Sequence, residues 1–201
     1  MNYNNILPVV LAGGKSKRFG EDKSQVLLGD KILIDHILTE IKDDFEEILI
    51  VANSPIKHLS LNKIVEISDY QKNLGPLGGV LSAMKWIKFN NKKYKWIATF
   101  PSDTPFFKKN IFENFYNRIN EKESELFFMK SNDKRHNIFG LWCVDLNDQL
   151  QKDLENGARK VENWANKIGV KTVNMSFEKE DPFFNINTKE DLKKAIKIFN
   201  D

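Results

Sequence analysis

Residues 9–24 read VVLAGGKSKRFGEDKS. An apolar run ends in two glycines, Gly13 and Gly14. Lys15, Lys17, Arg18 and finally Asp22-Lys23 follow. This is the pattern of a buried strand running into a loop that holds phosphate. Glycines let the backbone approach a ligand closely and take positive φ. Successive N–H groups in such a turn form an anion nest. Arg18 offers a planar fork for phosphate oxygens, and Lys23 a compact positive charge. Two common phosphate loops are excluded. A P-loop needs a glycine five positions before Gly14, where Val9 stands. The dinucleotide fingerprint needs Gly-x-Gly, which Gly13-Gly14-Lys15 does not supply.

Outward from this loop, short β-rich runs alternate with segments of helical period. ILPVVLA, EEILIVAN, KIVEIS, KWIATFPS, ELFFMK, NIFGLWCV and VKTVNM read as strands. Ile34, Ile37, Leu38 and Ile41 repeat as one helical face. Leu77, Leu81 and Met84 do the same after GPLGG, as do Phe112, Phe115 and Ile119, and Val161, Trp164, Ala165 and Ile168. A last helix starts at Thr188, capped reciprocally with Asp191. This alternation predicts a single α/β domain over residues 1–201, with a mostly parallel sheet between two helical layers. In such sheets ligands bind beyond the carboxyl ends of the strands. Function is therefore expected just after VVLA, IVAN, EIS and TFPS.

Composition narrows the classes. Of 201 residues, 41% are apolar and 29% charged, as in globular domains. The 31 basic residues against 28 acidic ones leave a net charge of +3, too small for a dedicated nucleic-acid binder. KFNNKKYKW (88–96) is read as a solvated helix end, not a nucleic-acid patch. The single cysteine, Cys143, excludes an internal disulfide or a Cys-based zinc site and is expected to be buried. No apolar run approaches the roughly 20 residues of a membrane span. MNYNN carries no positive charge before the first apolar run, so a cytoplasmic protein without a signal peptide is expected.

Four stretches carry a family resemblance. LAGGKSKRFGEDK resembles the signature loop of nucleotidyltransferases with the nucleotide-diphospho-sugar transferase-like, Rossmann-like three-layer fold. NLGPLGGVLSAM (73–84), FPSDTPFF (100–107) and FFNINTKEDL (183–192) resemble more narrowly the molybdenum cofactor guanylyltransferases. NGARKVENW (156–164) is similar to that family's basic turn before a helix. There are departures. Asn137 follows His136 where the family often has Pro. Lys160 stands where a second Arg is common, Lys189 where Pro is common, and Ser102 where Cys is common.

The resemblance implies transfer of GMP from GTP to the phosphate of molybdenum-bound molybdopterin, with release of pyrophosphate. Arg18, Lys23 and Asp103 are then the catalytic residues. Asp103 would hold Mg²⁺, with Mn²⁺ as the alternative metal. Leu11, Ala12, Gly13, Gly14, Lys23, Asn53, Asp69, Gly78 and Asp103 would bind the nucleotide, with Asp69 reading either a guanine edge or a ribose hydroxyl. Arg159, Asn185 and Asn187 would bind the acceptor. The two amides lie two apart, so an extended segment puts them on one face, with donors and acceptors suited to a pterin edge. Lys160 joins Arg159 as an acceptor-phosphate candidate or faces solvent, and His136 falls near the acceptor motif. Transient contacts with cofactor-synthesis or acceptor enzymes are implied; nucleic acid and membrane are not. The alternatives are a related nucleotidyltransferase using CTP or a sugar phosphate, and a protein that holds nucleotide without turnover.

Overall fold

The computed structural model describes residues 3–13, 25–53, 55–58, 61–69, 71, 73–177 and 181–200. Strand β1 (Ile6–Leu11) is buried along nearly its whole length, as expected of a strand covered on both faces. It pairs in parallel with β4 (Ile48–Ala52) on one side and β6 (Trp96–Pro101) on the other. Beyond β4 lies β5 (Ile64–Ser68). Beyond β6 lie β8 (Lys134–Cys143), β7 (Leu126–Ser131) and β9 (Lys171–Asn174). The seven-stranded order is β5-β4-β1-β6-β8-β7-β9. Because β4 and β6 leave β1 in opposite directions, the sheet reverses between β1 and β6. A crevice opens at such a switch point.

All seven expected strands are present. The sheet is mostly parallel: four of its six pairings are parallel, and β8 runs antiparallel to both neighbours. β8 is also irregular. Phe128 pairs with Gly140, but the next residue, Met129, pairs with His136. Asn137, Ile138 and Phe139 therefore bulge from the β7 ladder. The Thr99 hydroxyl fixes the bulge by donating to the Ile138 carbonyl and accepting the Trp142 indole N–H at 2.8 Å. Bulges of this kind re-aim side chains beside functional sites.

The helices pack as their apolar stripes predict. α1 (Leu33–Ile41) buries Ile34, Ile37, Leu38 and Ile41. α2 (Pro76–Phe89) is buried continuously from Leu77 to Met84. It lies between the sheet and α4 (Asn147–Glu155). α3 (Lys109–Asn117) buries Phe112 and Phe115, but ends before Ile119. α5 (Val161–Ile168) stops at Gly169, whose φ is 84°. Its Trp164 stacks on Trp142 at 5.8 Å. α6 (Lys189–Asn200) opens with the predicted reciprocal cap: Asp191 N–H reaches Thr188 Oγ1 at 3.1 Å, and Thr188 N–H reaches Asp191 Oδ2 at 2.9 Å. Cys143 is buried, and Phe89 is 86% exposed at the solvated end of α2.

Two features were not anticipated. One is α4, whose buried positions include only two leucines beside Asn147 and Asp153. The other is a two-stranded hairpin, β2 (Leu27–Leu28) and β3 (Lys31–Ile32), turned by Gly29-Asp30 with Gly29 at φ 64°. A glycine first in a two-residue turn suits a hairpin.

Candidate active site

The carboxyl ends of β1, β4, β5 and β6 converge. Ala12 N–H bonds the Val51 carbonyl at 2.9 Å, and Ser102 N–H bonds the Leu11 carbonyl at 3.2 Å. The strand ends on either side of β1 are thereby tied to it. At this junction Gly13 is packed tightly against two side chains. A Cβ there would stand 3.2 Å from both Asn53 Nδ2 and Asp69 Oδ2. Gly13, Asn53 and Asp69, far apart in sequence, thus form one corner. Asp69 is half-buried, and that desolvation pushes its carboxyl above the usual range. A carboxylate poorly solvated by water gains from a ligand that donates hydrogen bonds.

The first turn of α2 presses on the same corner. Gly75 starts it with φ 67° and ψ −159°, a conformation essentially reserved for glycine. A Cβ on Gly78 would strike Leu74 Cβ at 2.6 Å, so Gly78 meets the turn that begins the helix. Its neighbour Gly79 faces the corner itself. A Cβ there would lie 2.9 Å from Leu11 Cδ2 and 3.5 Å from Asp69 Oδ1. The resemblance points to Gly78, but the glycine facing Asp69 is its neighbour Gly79, while Gly78 packs on Leu74.

Asp103 lies beyond β6 in a turn whose members Ser102, Asp103 and Thr104 are all buried. Thr104 Oγ1 donates to the Pro101 carbonyl at 3.2 Å. The Asp103 carbonyl accepts the Ile186 N–H at 2.9 Å. That bond brings the C-terminal Asn185-Ile186-Asn187 segment to the end of β6. Asn185 is half-buried, and its Oδ1 is buried without a hydrogen-bond partner among the described residues. Asn187 is exposed, and its N–H bonds Asp191 Oδ2 at 3.0 Å.

An aromatic wall supports this segment. Phe183 stacks on His136 with centroids 3.9 Å apart and an interplanar angle of 25°. Phe139, from the bulge, meets Phe183 edge-on at 4.9 Å. His136 Nε2 lies 2.7 Å from Ser131 Oγ across the β7–β8 hairpin. Burial holds the His136 imidazole down to about 4, against the pull of the Asp181 carboxylate, while Lys134 lowers it further. Asn137 accepts from Arg135 Nε at 2.7 Å, and Arg135 also donates to Asn166 Oδ1 at 2.7 Å. These bonds tie the bulge to α5.

The chain matches the family model for the MobA-like NTP transferase domain over residues 8–168. It is 31% identical over 196 residues to a molybdenum cofactor guanylyltransferase of Haemophilus influenzae, covering 95% of this chain and 97% of the relative. This chain belongs to the molybdenum cofactor guanylyltransferase family. It is a nucleotidyltransferase. A relative of the same description from Rhizobium rhizogenes is 32% identical over 197 residues, covering 94% of this chain and 90% of the relative. The crystal structure of the molybdopterin-guanine dinucleotide biosynthesis protein A from Archaeoglobus fulgidus shares the fold. Its TM-score is 0.74 at 23% identity, over 96% of this chain and 98% of that one.

Against the guanylyltransferase motifs, Leu11, Ala12, Gly13, Asn53, Asp69 and Asp103 all lie at strand ends around β1. Gly14, Arg18 and Lys23 lie outside the described residues. Asn185 and Asn187 reach the Asp103 turn. Arg159 lies in the exposed turn before α5, its backbone close to the start of α2. Its Nη1 bonds the Leu154 carbonyl at 2.8 Å and the Ala158 carbonyl. Its own carbonyl would be 3.9 Å from a Cβ on Gly75. Lys160 is exposed beside it. His36 is structural: Nε2 lies 3.0 Å from the Leu28 carbonyl, and the ring packs edge-on against Phe199. Gly79, Phe183 and Ser131 were not singled out from sequence. The turn Asn132-Asp133, with φ 47° and 58°, was the available signal that Ser131 folds back toward His136. Among the described residues, no group of three or more His, Cys, Asp or Glu could hold a metal ion. Nor is any helix among them long and apolar enough to cross a membrane.

Proposed function

We propose that the protein transfers GMP from GTP to the phosphate of molybdenum-bound molybdopterin. An acceptor phosphate oxygen attacks the α-phosphorus, the bond to the β-phosphate oxygen breaks, and pyrophosphate leaves. The observation that carries this reading is the hydrogen bond from Ile186 N–H to the Asp103 carbonyl, 2.9 Å long. It ties the backbone of the segment holding Asn185 and Asn187 to the turn that holds Asp103, which supports two adjoining half-sites. In-line displacement needs two substrates on opposite sides of one phosphorus, and adjoining half-sites supply that arrangement.

The nucleotide half would comprise Leu11, Ala12, Gly13, Asn53 and Asp69, with Gly79 letting α2 close on them. Asp69 would accept hydrogen bonds from guanine or ribose. Arg18 and Lys23 would stabilise charge on the departing pyrophosphate. The buried carboxylate of Asp103 fits Mg²⁺, which takes one or two carboxylates and completes its shell with water and substrate phosphates. Bound there, the ion would neutralise triphosphate charge. Asn185 would offer its buried, unpartnered Oδ1 to a pterin N–H, and Asn187 would meet the same ligand. Arg159 would have to turn from the Leu154 and Ala158 carbonyls to reach acceptor phosphate. The reading carries with it a cytoplasmic enzyme in transient contact with the enzymes that make or receive the cofactor.

The test is mass-spectrometric detection of a GMP adduct after mixing protein, Mg-GTP and molybdenum-loaded molybdopterin. Isothermal titration should rank GTP above CTP and ATP. No adduct, or a preference for CTP, would overturn this assignment.

A further inference from the structure

Strand β8 parts from both of its neighbours at one place. Its pairing with β6 runs from Trp96–Cys143 only as far as Thr99–Gly140. Its pairing with β7 breaks after Phe128–Gly140 and resumes at Met129–His136, so Asn137, Ile138 and Phe139 have no partner in that ladder. A side chain holds the freed stretch. Thr99, 1% exposed in β6, donates its hydroxyl proton to the Ile138 carbonyl. The same oxygen accepts the Trp142 indole N–H at 2.8 Å.

The bulge changes where side chains point. In a regular strand, residues three apart face opposite sides of the sheet. His136 and Phe139 are three apart, yet both touch one ring. His136 lies on the face of Phe183 with centroids 3.9 Å apart, and Phe139 meets it edge-on at 4.9 Å. Phe177 closes a third side at 5.6 Å. Phe139 also stacks on Phe107 at 4.9 Å, and Phe107 rests on Phe100 of β6 at 5.5 Å. Phe107 ends the stretch that begins at the Asp103 turn. Phe139 thus touches the Asp103 stretch through Phe107 and the Asn stretch through Phe183. Asn185 is two residues beyond Phe183, and the next residue, Ile186, bonds the Asp103 carbonyl at 2.9 Å.

We propose that Thr99 is a positioning residue for the acceptor half-site: by locking the bulge it keeps His136 and Phe139 on Phe183, and so sets the Asn185–Asn187 segment against the Asp103 turn. The proposal rests on the acceptor role given to that segment above. Its physical basis is that a buried hydroxyl with both partners supplies the geometry that no backbone ladder supplies here. Without it the Trp142 N–H and the Ile138 carbonyl each lose a buried partner. A shift of about 1 Å in groups that orient a substrate can slow a reaction about 10²-fold. The corner of Gly13, Asn53 and Asp69 lies on the β1–β4–β5 side of the sheet, across β6 from the bulge, so nucleotide binding is spared.

Two measurements test it. Thr99→Val keeps nearly the same shape without the hydroxyl, and Thr99→Ser keeps the hydroxyl. In steady-state kinetics Thr99→Val should lower kcat/KM for molybdopterin roughly 10–100-fold and leave KM for GTP within about twofold, and Thr99→Ser should recover most of the loss. Equal rises in both KM values, wild-type kinetics in Thr99→Val, or no recovery in Thr99→Ser would overturn the proposal. The second measurement needs no substrate. Hydrogen exchange of the Ile186 amide should quicken in Thr99→Val relative to the Ala12 amide, which bonds the Val51 carbonyl across β6 from the bulge, and should return in Thr99→Ser. Unchanged Ile186 protection would overturn the proposal whatever the substrates are. Failure of wild type to turn over molybdopterin would instead refute the substrate assignment, and the exchange result would decide whether Thr99 positions the segment. Should Thr99→Val not fold, Phe139→Leu, which removes the edge contact with Phe183, takes its place in both measurements.

Discussion

Acidification should weaken this protein through His136, and the size of the effect follows from its surroundings. The imidazole is 8% exposed, stacked on Phe183 and bonded to Ser131. Burial outweighs the neighbouring Asp181 carboxylate and holds the ring down to about 4. In the unfolded chain the same ring titrates near 6.5. The folded value lies below the unfolded one, so the unfolded chain takes up the proton first as pH falls. The stability associated with the neutral ring is complete above about pH 6.5 and is lost between about 6.5 and about 4. The full difference corresponds to about 3 kcal/mol, of which about 2 kcal/mol should disappear between pH 7 and about pH 5. Urea unfolding of wild type and His136→Gln at both pH values isolates this part. Glutamine keeps a hydrogen-bonding group near Ser131 but binds no proton. Other titrating groups contribute equally to both proteins. Wild type should therefore lose about 2 kcal/mol more than the variant on acidification. Parallel losses would show that the buried ring is not the acid-sensitive element. Because Phe183 leads directly into the Asn pair, acceptor affinity should weaken over the same pH window.

Three further outcomes are expected. Lys23→Ala should slow nucleotidyl transfer by roughly 10²–10³, the scale of one preorganised charge-stabilising donor, in single-turnover kinetics; a wild-type rate would remove Lys23 from the catalytic set. Asn185→Ala should weaken molybdopterin binding by about 1–3 kcal/mol and leave GTP affinity unchanged. Its thermal stability should not fall, since Asn185 Oδ1 has no protein hydrogen bond to lose among the described residues; equal loss of both ligands would mean that the side chain supports the fold. Gly79→Ala forces a Cβ to within 2.9 Å of Leu11 Cδ2. Leu11, half-buried, should turn its end aside at a cost of about 1 kcal/mol or less, read as slightly weaker GTP binding by titration; a much larger loss would show that the start of α2, not the Leu11 side chain, has to shift.

The parts of this protein legible in its sequence are those set by local physics. β1, β4 and β6 were legible as apolar runs because a strand buried on both faces must be apolar along its length, and the edge strands β5 and β9 by their β-branched residues. The stripe from Ile34 to Ile41 and the Thr188–Asp191 cap were readable because helix faces and helix ends are chosen by residues three or four apart. The strand-then-glycine stretch placed Leu11 to Gly13 at a ligand-facing edge, and the order of motifs put Asn53, Asp69 and Asp103 at neighbouring edges. Other features depended on partners distant in the chain. α4 shows only two buried leucines, because α2 covers it and Asp153 is satisfied by Gln149, Trp164 and Lys167. The direction of β8 and its bulge depend on Thr99 and the β7 ladder, not on the alternation of NIFGLWCV. Sequence pointed to Gly78 for the nucleotide; packing sets Gly78 against Leu74, and it is Gly79 that meets Leu11 and Asp69. Ile186 reads as one apolar residue between two amides. Only the fold buries its side chain in a cluster with Leu28 and Leu33 and sets its N–H on the Asp103 carbonyl, because burial and a backbone hydrogen bond are decided by whatever the chain brings back from far away.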